Sequence, residues 1–225
     1  MFEKINYYGF DRATFSDCEH LICPTNYKHL MFINLWFLIL NLIYLNFSTL
    51  KLFGVQQSNG AIYSVYAAVS FLLAVLLFGA KKFSLKHSRL LIYLVILLLA
   101  SYGILISLSQ PYSAATTFHV LFVLAALSYM DTMLPMGIVF VLSTLAFSLS
   151  AWFGKSLNIA YQDIFNAVVN LTLAISLHYA FQHARMGQFV TYRKNMQIQQ
   201  ELEVKSSFDA LTSLLNRGKF FSMAA

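Results

Sequence analysis

The feature that most constrains this chain is a succession of long apolar runs, each close to the length that crosses a lipid bilayer. Crossing about 30 Å of hydrocarbon takes about 20 mostly apolar residues in a helix. Irregular backbone cannot face lipid, so such runs must be helical. We predict an all-α polytopic membrane protein with six transmembrane helices, at about residues 30–53, 61–80, 90–108, 115–131, 134–153 and 163–183.

Composition excludes a soluble globular domain. Of the 225 residues, 59% are hydrophobic and only 11% are charged, too few to cover a soluble surface. The net charge of +6 would suit a nucleic-acid partner, but most Lys and Arg flank the apolar runs, as topology signals and contacts with anionic headgroups do. We therefore expect the lipid bilayer as a partner and no nucleic acid.

The fourth and fifth runs are almost fused and need a break between them. Asp131 or Thr132 is placed to cap a new helix, and Pro135 suits its first turn. We therefore predict a tight hairpin between these two spans.

The distribution of Lys and Arg gives an expected orientation. Of the 15 Lys and Arg, all but Lys51 and Lys155 lie before the first run, between the second and third, or after the sixth. Cytoplasmic connections carry the excess of positive charge, so both termini are predicted to be cytoplasmic. The outer loops, near 54–60, 109–114 and 154–162, are then too short to hold a sensing domain.

Residues 1–29 form a cytoplasmic N-terminal segment that mixes aromatic and charged residues and that Pro24 is expected to break. Such a composition suits a segment lying against the headgroups or a weakly ordered tail. Cys18 and Cys23 lie near His20 and His29, but their spacing matches no standard zinc frame. Thiols in a reducing compartment are therefore favoured over a metal site or a disulfide.

Polar side chains inside the runs define a candidate intramembrane sensing face. An unpaired amide in hydrocarbon is costly, so these side chains should turn inward. Hydrogen bonding between helices is the simplest interpretation. One alternative is a ligand pocket or conduit lined by all of these residues except His178. The other is a proton-sensitive role for His178 itself. The six residues are Asn34, Asn41, His119, Asn166, Asn170 and His178.

Transport is not favoured by these runs. Apart from Lys51 at the end of the first run they contain no Lys, Arg or Glu, and Asp131 and Asp163 lie at run ends. A coupled transporter usually needs a carboxylate at depth.

Residues 184–208 are polar and lack Pro, so they should continue the sixth span as a cytoplasmic stalk helix. Heptad positions there are interrupted by Tyr192, Arg193 and Lys205, which indicates a weak dimer contact. We expect a homodimer.

After the stalk, residues 209–221 read DALTSLLNRGKFF. This stretch resembles the opening of a GGDEF-type diguanylate cyclase domain, whose pattern is close to DxLTGLxNRRxF. Ser213 and Gly218 depart from that pattern. The matching positions are Asp209, Leu211, Thr212, Leu214, Asn216, Arg217 and Phe220.

The resemblance implies a role for these residues and a function for the chain. Asp209, Leu211, Thr212, Asn216 and Arg217 correspond to the turn that links stalk to catalytic domain. The family's metal-binding and guanine-binding residues are expected beyond residue 225, so Mg²⁺ and GTP are expected only there. Within the chain we expect no catalytic, cofactor-binding or metal-binding residue.

We therefore expect a membrane sensory and dimerisation module of a bacterial diguanylate cyclase, which makes cyclic di-GMP from two GTP. It would lie in the bacterial cytoplasmic membrane, respond to an unidentified small-molecule or membrane stimulus, and be catalytically silent as it stands, with a truncated start of the GGDEF domain at 209–225. The alternatives are a small multi-pass transporter or channel, and a stand-alone membrane receptor that regulates a partner cyclase.

Overall fold

The computed structural model describes residues 2–51 and 59–207, with side chains up to Val204. Every regular element within these residues is an α-helix, which confirms the all-α class. The chain divides into two compact units, Met1–His183 and Ala184–Ala225. The helices are α1 (Phe2–Asn6), α2 (Arg12–Asp17), α3 (Glu19–Leu50), α4 (Gly60–Gly79), α5 (Lys81–Lys86), α6 (Ser88–Leu108), α7 (Thr117–Ser128), α8 (Met133–Gly154) and α9 (Leu157–Ser207).

Five of the described helices are long and apolar enough to cross a membrane: α3, α4, α6, α8 and the Leu157–Val204 part of α9. Large apolar side chains lie exposed on them, such as Leu72 with 67% of its surface accessible. Exposed apolar surface of this extent belongs against lipid rather than water. The chain therefore has the character of a membrane-embedded helical protein.

The first long helix begins earlier than expected. Pro24 was expected to break the chain, and that expectation is wrong because Pro24 lies inside α3, one turn after its start at Glu19. Proline removes the hydrogen bond to the carbonyl four residues earlier, here that of His20. Both His20 and Pro24 are exposed, so water can satisfy that carbonyl and the helix continues.

The long helices pack around an aromatic core. α3 packs mainly on α4, while α6 packs on α7 and α8. The ring of Tyr102 on α6 lies 4.9 Å from that of Phe37 and 5.1 Å from that of Tyr66. At Gly103 a side chain would come within 2.7 Å of the Cα of Phe118, so glycine permits the close approach of α6 and α7.

The N-terminal segment is folded against other helices of the first unit. Tyr8 and Gly9 both have positive φ angles, of 56° and 89°, which reverse the chain between α1 and α2. The reversal turns the Tyr8 side chain inward, where it is fully buried. His183 on α9 lies 2.5 Å from the Tyr8 carbonyl and donates to it through Nδ1.

The fourth apolar run contains only 12 residues of helix, α7, and then changes direction. Tyr129 and Thr132 are extended. Pro135 lies in the first turn of α8, as predicted, and neither Thr132 nor Asp131 gives α8 a side-chain cap. We call residues 129–132 the connector.

Helix α9 is continuous from Leu157 to Ser207. The predicted turn at Asp209, Leu211, Thr212, Asn216 and Arg217 lies outside the described residues.

Candidate functional site

The connector is the most elaborately bonded part of the first unit. The end of any α-helix leaves its last four carbonyls without partners inside the helix. An extended segment after it adds further unpaired carbonyls. At membrane depth these groups must find partners within the protein, because lipid offers none.

Side chains from three separate parts of the chain supply those partners. Six consecutive carbonyls, 126 to 131, each accept a hydrogen bond from a side chain outside α7 and the connector. His178 donates to Ala126 at 2.6 Å, Gln182 to Leu127 at 3.5 Å and Tyr129 at 3.0 Å, His29 to Ser128 at 2.6 Å, Asn26 to Met130 at 2.6 Å, and Tyr8 to Asp131.

Asn26 makes the most complete of these contacts. Its Nδ2 donates to the Met130 carbonyl at 2.6 Å, and its Oδ1 accepts from the Met130 amide at 3.0 Å. Both backbone groups of one connector residue are therefore satisfied by one buried amide. This pair fixes the direction in which the connector leaves α7.

The Asp131 carboxylate is buried, with 5% of its side chain exposed, and is held by three donors. Oδ2 accepts from the Tyr93 hydroxyl at 2.6 Å, and Oδ1 accepts from the Thr132 amide at 2.8 Å. Arg89 lies 3.3 Å from Oδ1 and also pairs with Glu19 at 3.2 Å. Arg89 and Glu19 are about half exposed, so the acidic group sits just inside the protein surface.

Tyr8 lies at the centre of the arrangement. Its hydroxyl bonds the Asp131 carbonyl and lies 2.9 Å from Nε2 of His178. Burial raises the pKa of Tyr8, and the nearby Asp131 carboxylate raises it further, so the hydroxyl keeps its proton. The N-terminal segment, the connector and α9 thus meet at one hydroxyl group.

The six predicted sensing residues fall into three sets of contacts. On α3, Asn34 is buried and donates to the Ser70 carbonyl of α4 at 2.9 Å, whereas buried Asn41 donates to its own helix at Phe37, 2.8 Å away. The Asn34 contact is the helix-to-helix hydrogen bond that the simplest interpretation predicts.

A second set joins α7 and α9. Asn170 is half-buried and donates to the backbone carbonyl of His119 at 3.5 Å, and Asn166, one turn earlier, is also half-buried. The His119 ring packs edge-on against Phe147, 5.5 Å between centroids, and its nitrogens have no hydrogen-bond partner within the described residues. The third set is His178 with the connector. That these residues form one sensing face stays a prediction.

A buried ion pair lies at the start of α9, between Lys155, which follows α8, and Asp163 in the second turn of α9. Lys155 and Asp163 are 2.6 Å apart and both side chains are fully buried. Lys155 also donates to the Ser113 carbonyl at 2.9 Å, and Asp163 accepts from the Ala115 amide at 2.9 Å. These contacts bind the loop between α6 and α7 to the start of α9.

Cys18 and Cys23 are thiols, the first buried and the second half-buried. The nearby imidazoles bond backbone carbonyls, His20 that of Asp17 at 2.8 Å and His29 that of Ser128. No three His, Cys, Asp or Glu within residues 2–51 and 59–207 are placed to hold a metal ion.

Several residues of the connector site were not anticipated from the sequence: Tyr8, Asn26, Arg89, Tyr93 and Gln182. The signal for Tyr8 was weak, because an aromatic residue in a charged segment also suits the headgroup region. For Asn26 and Gln182, a polar residue close to the end of an apolar run was the available clue.

Replacing Asn26 with alanine should leave the buried amide and carbonyl of Met130 without their hydrogen-bond partners. Each unsatisfied buried group costs about 1–3 kcal/mol, so we expect the free energy of unfolding to fall by about 2 kcal/mol or more. Equilibrium unfolding in mixed micelles measures the change. Asn46→Ala on the same helix is the control, since Asn46 is exposed and bonds only its own helix in the described contacts. Equal effects of both substitutions would contradict the role of Asn26.

No protein-family model matches this chain, and no curated protein or solved structure matches it either. Functional inference therefore depends on the residues and contacts described above.

Proposed function

We propose that this chain is the membrane-embedded sensory and dimerisation module of a bacterial diguanylate cyclase. The observation that carries the proposal is the continuity of α9, which runs unbroken from an apolar span at Leu157 to Ser207. Ser207 is followed within two residues by Asp209, where the GGDEF-like pattern begins. A displacement within the membrane could therefore be transmitted along one helix toward the GGDEF-like domain whose opening residues 209–221 resemble.

Six spans with both termini in the cytoplasm form part of this proposal. α7 alone covers about 18 Å at 1.5 Å per residue, short of the hydrocarbon thickness. The four connector residues, if fully extended, add up to about 13 Å at 3.3 Å per residue. Because side chains satisfy the carbonyls of residues 129–131 and the Met136 amide satisfies that of Thr132, irregular backbone at that depth is tolerable.

The sensing element in this proposal is the connector site. It joins Tyr8 near the N terminus, Asn26 on α3, Arg89 on α6 and His178 on α9 through one irregular segment. The carbonyls of residues 129–131 are held by side chains, whereas that of Thr132 accepts from a backbone amide, that of Met136. A segment held mainly by side chains can rearrange without breaking a helix, which is the property a two-state switch needs.

The test is a fusion in which residues 1–208 replace the membrane part of a known membrane-bound diguanylate cyclase. We expect cyclic di-GMP in cells to exceed the level given by the catalytic domain expressed without a membrane part, because GTP is cytoplasmic and two catalytic domains must meet. Residues 1–208 alone serve as the control and should give no rise. A fusion no more active than the free catalytic domain would sink the proposal.

A further inference from the structure

Three contacts run in series from α7 through His178 and Tyr8 to Asp131. Each needs one proton, whereas a neutral His178 and the Tyr8 hydroxyl together supply only two. At one end Nδ1 of His178 faces the Ala126 carbonyl at 2.6 Å. At the other end the Tyr8 hydroxyl faces the Asp131 carbonyl. Carbonyl oxygens only accept hydrogen bonds, so both positions require a proton on the side of the histidine or tyrosine.

The middle contact decides the count. Tyr8 has one hydroxyl proton, and donating it to Asp131 leaves only lone pairs directed at Nε2 of His178, 2.9 Å away. If Nε2 is bare, two lone pairs face each other. If Nε2 carries a proton, it donates to the Tyr8 oxygen, and each of these three contacts has one donor and one acceptor. That state is the imidazolium.

We infer that His178 is a buried proton-binding site, and that its imidazolium form fastens Tyr8, and with it the N-terminal segment, to the connector. In the neutral form Tyr8 must choose between Nε2 and the Asp131 carbonyl, so one link opens. The ligand of this site is the proton, and the element that it controls is the attachment of residues 2–18 to α7, the connector and α9.

The charges around the site favour a cation there. Asp131 and Glu19 bring two carboxylates against the single guanidinium of Arg89, so an imidazolium balances the group. The hydroxyl of Tyr93 is neutral and is occupied by the Asp131 carboxylate. Among the described residues, further polar or aromatic groups at the site include Phe140 on α8, Tyr179, Gln182 and His183 on α9, and His29 on α3.

The position of His178 allows proton exchange with water. It lies five residues, about 8 Å at 1.5 Å per residue, before the end of the sixth predicted span at residue 183, so it stands close to that boundary of the hydrocarbon. The half-exposed pair of Arg89 and Glu19 lies on the same side, next to Asp131. Protons can therefore reach the site from the side of the membrane that carries the N-terminal segment.

The direct test is nuclear magnetic resonance of the purified full chain in lipid nanodiscs, with ¹⁵N-labelled histidine. At pH 5 we expect both ring nitrogens of His178 to be protonated, with loss of one proton as the pH rises toward 8. The signal is assigned by its absence in His178→Gln. Should that variant fail to fold, it is assigned as the signal that remains in a chain with the other histidines replaced. A His178 ring with one bare nitrogen at pH 5 would overturn the inference.

A second measurement follows the coupling. The stabilising link is present in the protonated state and is lost on deprotonation, so the thermal unfolding midpoint of the wild type should fall with rising pH relative to His178→Gln. The fall should begin above about pH 6.5, the ordinary pKa of histidine, where the unfolded chain releases the proton that the folded chain still holds. Its steepest slope is roughly 4 °C per pH unit, the effect of one proton for a chain of this size. Tyr8→Phe should remove the same slope, whereas Tyr7→Phe, at the half-buried neighbour, should keep it. Identical pH profiles for wild type, His178→Gln and Tyr8→Phe would refute the coupling.

The inference goes beyond the proposed function and does not depend on it. Both measurements use the chain without any catalytic domain, so a failed cyclase fusion would leave them standing. Conversely, an active fusion combined with a neutral His178 would retain the proposed function and remove the proton as its input.

Discussion

Asp163→Asn is expected to lower the free energy of unfolding by about 3–5 kcal/mol, the largest single-residue effect that we predict. The change preserves shape and leaves an oxygen that can still accept from the Ala115 amide. It removes only the negative charge, so the fully buried Lys155 ammonium loses its partner at 2.6 Å. A buried cation without a counter-charge is costly in a medium that solvates it poorly.

Two further variants make this result specific. Lys155→Met combined with Asp163→Leu removes both charges, and we expect it to recover most of the lost stability, because a buried ion pair often gains little over apolar packing. Lys82→Met changes an exposed lysine and should be nearly silent. The measurement is equilibrium unfolding in mixed micelles with increasing dodecyl sulfate. A single mutant as stable as the wild type would show that Lys155 reaches water.

In the cyclase fusion, inserting one alanine between Gln197 and Gln200 of α9 is expected to change cyclic di-GMP output on the order of tenfold. One residue rotates everything after it by about 100°. In the proposed function the relative orientation of two catalytic domains controls the rate, and a tenfold change corresponds to a shift of only about 1.4 kcal/mol between two states.

The matched control is an insertion of seven alanines at the same place. Seven residues make almost two full turns, so the phase returns to within about 20° and output should return toward its original level. Residues 197–200 are exposed, so neither insertion disturbs packing within the described part of the helix. Output that is the same without an insertion and with insertions of one and seven residues would mean that this segment is a plain linker.

The helical class and most helix positions follow from the sequence because apolar length is a local property. α4, α6 and α8 begin and end within a few residues of the predicted runs. The start of α3 was misjudged because the effect of Pro24 depends on whether the carbonyl of His20 reaches water. That question concerns exposure and not composition.

The connector site was largely beyond sequence reasoning. The hydroxyl of Tyr8 and the carbonyl of Asp131 are separated by 123 positions, and Asn26 and Met130 by 104. Neither pair leaves a periodic signal, because each is a single side chain meeting a backbone group. His178 was recognisable as a polar residue in a span, but its partner Tyr8 lies in a segment whose composition equally suited a surface tail.

The carbonyl partners of the connector also bear on biogenesis. Tyr8, Asn26 and His29 emerge from the ribosome well before residues 126–131, whereas His178 and Gln182 emerge about 50 residues later. The end of α7 therefore spends an interval of synthesis with two of its donors missing. Under the proposed six-span arrangement we expect α7 to remain beside the insertion machinery or at the water interface during that interval, and to enter the bilayer when α9 supplies the two donors.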